Sequence, residues 1–200
     1  MHAIDPVSHG GRLLPSVLAD RSRSETGFAW RVTLAFLAAG LPRLWLHELW
    51  RDEAAIWLVA GEAGSWAGLR SELAYGGHAY LWAVLCYGLR AVVASPRAMQ
   101  LLNLALAGGA AFVLARCAPF PRLERGLLVA GYFLAYEYAI LSRDYAAGAL
   151  LIFLACAAMT GRRPALGLGL ALALLFQSSV YGFLVGLAIG AGWLADRWLR

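Results

Sequence analysis

The sequence predicts an all-α, multi-pass integral membrane protein of about six transmembrane helices, with an external juxtamembrane helical loop between the first and the second. Three observations carry that expectation. The 200 residues are 61% hydrophobic and 14% charged, with a mean hydropathy of +0.64, which is far from the composition of a water-soluble domain. Apolar runs long enough to cross about 30 Å of hydrocarbon, at about 1.5 Å per residue, recur along the chain. The 17 cationic residues are all arginine, and they sort unevenly to the two sides of those runs.

Residues 1–27 are polar, contain Arg12, Arg21 and Arg23, and enclose no apolar core. No cleavable signal is therefore expected, and the segment reads as a cytoplasmic N-terminal tail ahead of a membrane domain over 28–200. The first run, 28–46, is a retained anchor. An external loop follows over about 47–97. Its Trp45, Trp50, Trp57 and Trp66 are the amphipathic rings expected of helices lying among lipid headgroups. Ala54, Trp57, Leu58 and Gly61 recur there at helical spacing, with Asp52, Glu53 and Glu62 off their stripe and a glycine turn expected at Gly76-Gly77. The run 79–95 carries Arg90 and ends in Ser95-Pro96-Arg97, a poor centre for a span and a helix break, so it is expected not to cross. Runs at 98–115, 126–142 and 145–160 cross. The last run, 164–195, would be about 48 Å long as one helix, too long for one crossing. Gln177-Ser178-Ser179 is its only polar interruption, so two short helices are expected to meet there.

With 79–95 kept outside, Arg12, Arg21, Arg23, Arg31, Arg116, Arg122, Arg125, Arg162, Arg163, Arg197 and Arg200 lie inside. Arg43, Arg51, Arg70, Arg90, Arg97 and Arg143 lie outside, as the arginine bias of cytoplasmic loops requires. The acids separate as well. Glu48, Asp52, Glu53, Glu62, Glu72, Glu137 and Asp144 fall outside or in the outer half of a helix. Cys86, Cys117 and Cys156 show no metal or disulfide spacing. Gly182, Gly186 and Gly190, four residues apart, fit close helix packing or a seat for a partner subunit. Nothing suggests nucleic acid: there is no glycine-rich phosphate loop, and the net charge of +5 is spread along a membrane rim.

Four segments then resemble one family. Leu44-Trp45-Leu46-His47-Glu48-Leu49-Trp50-Arg51-Asp52-Glu53-Ala54 resembles the first external loop of the GT-C glycosyltransferases, which begins with an Asp-Glu pair after the first span. Gly77-His78-Ala79-Tyr80-Leu81-Trp82 is similar to that family's His-Pro-Pro-Leu-Tyr-Tyr segment, with both prolines replaced. Ser95-Pro96-Arg97-Ala98-Met99-Gln100-Leu101-Leu102 resembles its arginine-containing start of the next span. Tyr138-Ala139-Ile140-Leu141-Ser142-Arg143-Asp144-Tyr145-Ala146 resembles the end of its third span. The similarity covers about 28–182 and rests on order and spacing. Most members are longer, so the chain, which resembles their N-terminal module, is expected to be a fragment, a minimal module or one part of a split enzyme.

The resemblance implies an enzyme of the cell inner membrane with its active face external or periplasmic, taking a sugar from a polyprenyl-phosphate donor. Such transfer needs a base for the acceptor's proton, a cation for the departing phosphate and a cavity open to bilayer and water. Asp52 is the expected catalytic residue, with Glu53 and Asp144 as further catalytic candidates. Asp52 and Asp144 are also the oxygen ligands for a divalent ion, Mg or Mn. Arg143, Arg51 and Arg97 are expected to bind phosphate, because guanidinium matches two phosphate oxygens, and His78 to orient a substrate. The same residues also fit quieter roles: Asp52 capping a helix, and Arg143-Asp144 a local ion pair. A non-catalytic module that binds lipid-linked sugar or a partner, or a small transporter subunit, is the alternative.

Overall fold

In the computed structural model, residues 13–76, 80–161 and 163–199 are described, and all regular structure among them is helical. The frame is an antiparallel pair, α1 (Leu13–Leu46) and α5 (Pro96–Cys117). α1 is continuous through residue 27, so the expected boundary between tail and span is not an element boundary. α5 starts where Ser95 accepts a hydrogen bond from the Arg97 N–H at 3.3 Å, with Pro96 just inside the first turn. Small residues let the pair approach closely: Ala107, Ala110, Ala111 and Ala115 are fully buried, and a Cβ on Gly108 or Gly40 would strike Leu37 or Leu104 of the facing helix.

Both ends of the pair are clasped. At one end the Arg97 guanidinium donates to the carbonyls of Leu44 at 3.0 Å and Trp45 at 3.3 Å, which α1 leaves without intrahelical partners. At the other, Arg116 donates to Thr26 Oγ1 at 3.0 Å and Ser22 Oγ at 3.1 Å. Glu25 joins that clasp, accepting from Arg122 at 2.8 Å and Arg125 at 2.7 Å. Arg125, then Arg122, hold its carboxyl below the usual glutamate range.

From the Glu25 end the chain returns through α6 (Arg122–Ala130) and a π-helical segment, Phe133–Tyr138. Asn103 of α5 receives it, donating to the carbonyls of Tyr138 at 2.9 Å and Ala139 at 3.1 Å. α7 (Tyr145–Ala158), α8 (Pro164–Leu175) and α9 (Val180–Leu199) complete the bundle. The expected break at Gln177-Ser178-Ser179 is the turn between α8 and α9. Gly182, Gly186 and Gly190 face α8: added Cβ atoms would meet Leu175 and Ser178, Phe176, and Leu172 in turn. The glycine stripe is thus filled from within the chain.

Between α1 and α5 lie α2 (Arg51–Glu62), α3 (Trp66–Gly76) and α4 (Tyr80–Arg90). The chain enters and leaves this segment at the same end of the frame, where Arg97 meets Leu44. α4 has 11 residues and is about 16 Å long, short of a bilayer core. Gly64, at φ +61°, turns the chain from α2 to α3, a backbone state glycine adopts without strain. Gly77, of the expected glycine turn, lies outside the described residues.

The face of α2 departs from expectation. Glu53, Ile56, Trp57 and Ala60 are buried, while Leu58 and Gly61 are exposed, so the buried stripe includes Glu53. Trp57 is accordingly a core residue at 4% exposure, whereas Trp45, Trp50 and Trp66 are exposed as expected. Arg90 of α4 explains the shift: it donates to the Trp57 carbonyl at 2.8 Å, stacks over the Trp57 ring, and occupies the space a side chain at Gly61 would need. Cys86 is fully buried in α4, and burial pushes its thiol up to about 12.

Among the described residues one helix, α5, is long and apolar enough to cross a membrane, with a mean hydropathy of 1.7 over its best stretch. α7 and α8 are as apolar but shorter, at 14 and 12 residues. α8 is apolar all round: Leu168, Ala171 and Leu175 are buried and Leu166, Leu170 and Leu174 face outward.

Candidate functional site

The site forms where α1 ends, because three turns of chain converge there. His47-Glu48-Leu49-Trp50 links α1 to α2 with Trp50 extended, which leaves its N–H pointing back at the first turn of α2. Glu53, three residues on, accepts that N–H on Oε2 at 2.8 Å, as the return half of a capping box does. His47 Nε2 lies 2.9 Å from the same oxygen. The other oxygen, Oε1, accepts the Ser142 N–H at 2.6 Å. Glu53 is 1% exposed, and its desolvation is offset by the two backbone donors and the His47 contact.

Asp52 precedes Glu53 and, one residue back on the helix, is turned about 100° away onto the exposed face. Its side chain is 60% exposed, and Oδ2 is 3.4 Å from Nη1 of Arg143, itself about one-third exposed. The Arg143 guanidinium also rests 5.1 Å over the Tyr145 ring. The turn that presents Arg143 is set by the Asn103 clamp just before it and by an Arg143 N–H to Leu141 carbonyl bond at 2.9 Å, and α7 begins directly after Asp144.

Arg143 and Asp144 line a pocket of about 450 Å³ together with Tyr80, Tyr145, Gln177 and Tyr181. The Leu81 N–H donates to the Gln177 carbonyl at 2.9 Å and so ties α4 to the α8–α9 turn across this pocket. Asp52 does not line it and meets it through Arg143. A second, apolar groove of about 810 Å³ runs along α6 and the π segment, lined by Leu127, Leu128, Phe133, Tyr138 and Phe153 among others. Tyr138, which lines the groove, and Tyr145, which lines the pocket, pack with their ring centroids 5.8 Å apart.

The expected site residues therefore divide. Asp52, Arg143 and Asp144 gather at one end of the bundle, with Glu53 buried beneath them. Arg51 is exposed at the start of α2. Arg97 stands beside them with its guanidinium committed to Leu44, Trp45 and, at 3.0 Å, Gln100 Oε1. His78 lies outside the described residues. His47, Ser142 and Tyr145 lie in the family-resembling segments and Gln177 in the expected break, but the sequence assigns none of them a site role, and a stripe read through 53, 56, 57 and 60 is the signal that places Glu53 inward. Among the described residues no three His, Cys, Asp or Glu side chains converge on a metal position. Mg²⁺ held by one or two carboxylates keeps waters or substrate oxygens as its other ligands, so Asp52 and Asp144 alone are a partial donor set. No protein-family model, curated protein or solved structure matches this chain.

Proposed function

We propose that the chain is a membrane glycosyltransferase module of GT-C type, with about six crossings, that moves a sugar from a polyprenyl-phosphate donor to an acceptor on the external face. The observation that carries this reading is the pair Asp52–Arg143 at the edge of a tyrosine-lined pocket, whose Tyr145 packs on Tyr138 of the apolar groove. A lipid-linked sugar has that same two-part chemistry. Its isoprenoid chain suits the groove beside Tyr138, and its charged phosphate suits Arg143. Tyr80, Tyr145 and Tyr181 offer the ring faces and hydroxyls that a sugar meets in a partly apolar pocket.

Asp52 is the general base. It is the exposed carboxylate of the pair and has an oxygen free to face an acceptor hydroxyl, whereas both oxygens of Glu53 are engaged by protein donors. As the acceptor oxygen attacks the sugar carbon, its proton passes to Asp52, the bond to the phosphate oxygen breaks, and Arg143 stabilises the departing phosphate. Asp52 and Asp144 supply the oxygens a divalent ion would use. The outward-facing leucines of α8 and the span-length α5 support the membrane setting.

The test is transfer of radiolabelled sugar from polyprenyl phosphate by the chain in nanodiscs. Asp52→Asn is expected to lose about 10²-fold or more in kcat, and Arg143→Gln to raise the KM for donor. Full activity in Asp52→Asn would sink the assignment of the base. Donor binding without turnover in wild type would favour the non-catalytic module.

A further inference from the structure

We infer that Glu53 is the positioning residue of this site, holding Asp52 opposite Arg143 without meeting the reacting groups; the inference rests on the transfer reading above. Its neighbours make the case. Glu53 follows Asp52 directly, and the N–H it accepts at 2.6 Å belongs to Ser142, which precedes Arg143 directly. A single carboxylate therefore fixes the backbone on both sides of the Asp52–Arg143 pair, across 89 residues of sequence.

The pair cannot do this for itself. At 3.4 Å, between side chains 34% and 60% exposed, it is the kind of solvated ion pair whose attraction barely exceeds the cost of ordering it. Glu53 is at the opposite extreme, buried at 1% exposure with a charge-assisted bond to each oxygen. His47, with its side chain 10% exposed, adds a third partner from the linker that leaves α1. The anchor thus joins the end of α1, the first turn of α2 and the turn before α7. Those three pieces determine where Asp52 and Arg143 stand. Displacement of a base by about 1 Å is enough to slow a step by about 10²-fold.

The test compares Glu53→Gln, Glu53→Ala and Asp52→Asn in the transfer assay in nanodiscs. Glutamine keeps one carbonyl oxygen for the Ser142 N–H but sets its NH2 against the Trp50 N–H, so Glu53→Gln is expected to lose about tenfold in kcat, less than Glu53→Ala, and to keep the acidic limb of the pH–rate profile. Glu53→Ala, with no acceptor, is expected to lose about 10²-fold in kcat. Glu53→Gln as inactive as Asp52→Asn, or Glu53→Ala at wild-type kcat, overturns the proposal. A second readout needs no activity: spin labels at the exposed positions 58 and 181 should give one narrow distance in wild type, a broad distribution in Glu53→Ala and an intermediate width in Glu53→Gln. An unbroadened distribution in Glu53→Ala overturns the anchor. Should Glu53→Ala not fold, His47→Ala, which removes one partner only, is expected to broaden the distance, and a distribution as narrow as wild type counts against the anchor. Wild-type protein that transfers nothing defeats the glycosyltransferase reading, while the distance measurement still decides on Glu53.

Discussion

Glu25 sits between Arg122 and Arg125 and makes the α1–α6 corner sensitive to acid. Its carboxyl is held below the ordinary glutamate value of 4.5, first by the hydrogen bond from Arg125 and then by that from Arg122. A carboxyl with a lowered folded-state pKa adds stability that is fully present above 4.5 and is lost as pH falls through the folded value. The difference in melting temperature between wild type and Glu25→Gln should therefore be constant from neutral pH down to about 5 and shrink on further acidification. A difference that grows in acid would show that the pair is not what stabilises this corner. Arg97 illustrates the other use of arginine here. Its guanidinium is spent on helix-end carbonyls, which side-chain identity does not announce, so a residue that resembled a phosphate ligand stands as the cap of α1.

Elements were legible in the sequence wherever the signal was local. Ser95-Pro96 marks the start of α5, and Gln177-Ser178-Ser179 marks the turn between α8 and α9, because a cap or a polar interruption acts within a few residues. The inward turn of Glu53 is legible only through the 53, 56, 57 and 60 stripe, and its partners are not legible at all. Two of them are backbone N–H groups, one 89 residues away, and every residue but proline carries such a group. The π segment is hidden for a related reason, since its closing partner is Asn103 on another helix. The glycine spacing of α9 was legible as a packing signal, though not its target, and that target makes a prediction. A side chain at Gly186 would strike the Phe176 ring and Leu175, whereas one at Gly192 meets nothing within 4 Å. Gly186→Leu should therefore cost about 1–3 kcal/mol through overpacking, and Gly192→Leu far less, as read by thermal unfolding in detergent followed by tryptophan fluorescence. Equal melting temperatures for the two variants would contradict the packing of α9 on α8.

At the scale of the whole molecule, hydrogen bonds orient the bundle without reference to any membrane. Arg97 ties the start of α5 to the end of α1, and Arg116 ties the end of α5 to Ser22 and Thr26 in the N-terminal half of α1, so residues 47–95 and residues 118–121 lie at opposite ends of a helix about 33 Å long. That length matches a bilayer core, and α4 is too short to carry the chain across between them. On the topology proposed from the sequence, eleven of the 17 arginines lie inside, and that proposal takes the Glu25 end as cytoplasmic and the Asp52 end as external. Val92 and Leu123 report the two ends, since both are exposed, at 83% and 74%. In a background with Cys86, Cys117 and Cys156 replaced, Val92→Cys should react with an impermeant maleimide added to intact cells. Leu123→Cys should react only after the membrane is opened. Labelling of both from the same side would remove the α5 crossing, and with it the external placement of Asp52, Arg143 and Asp144 on which transfer at that face depends.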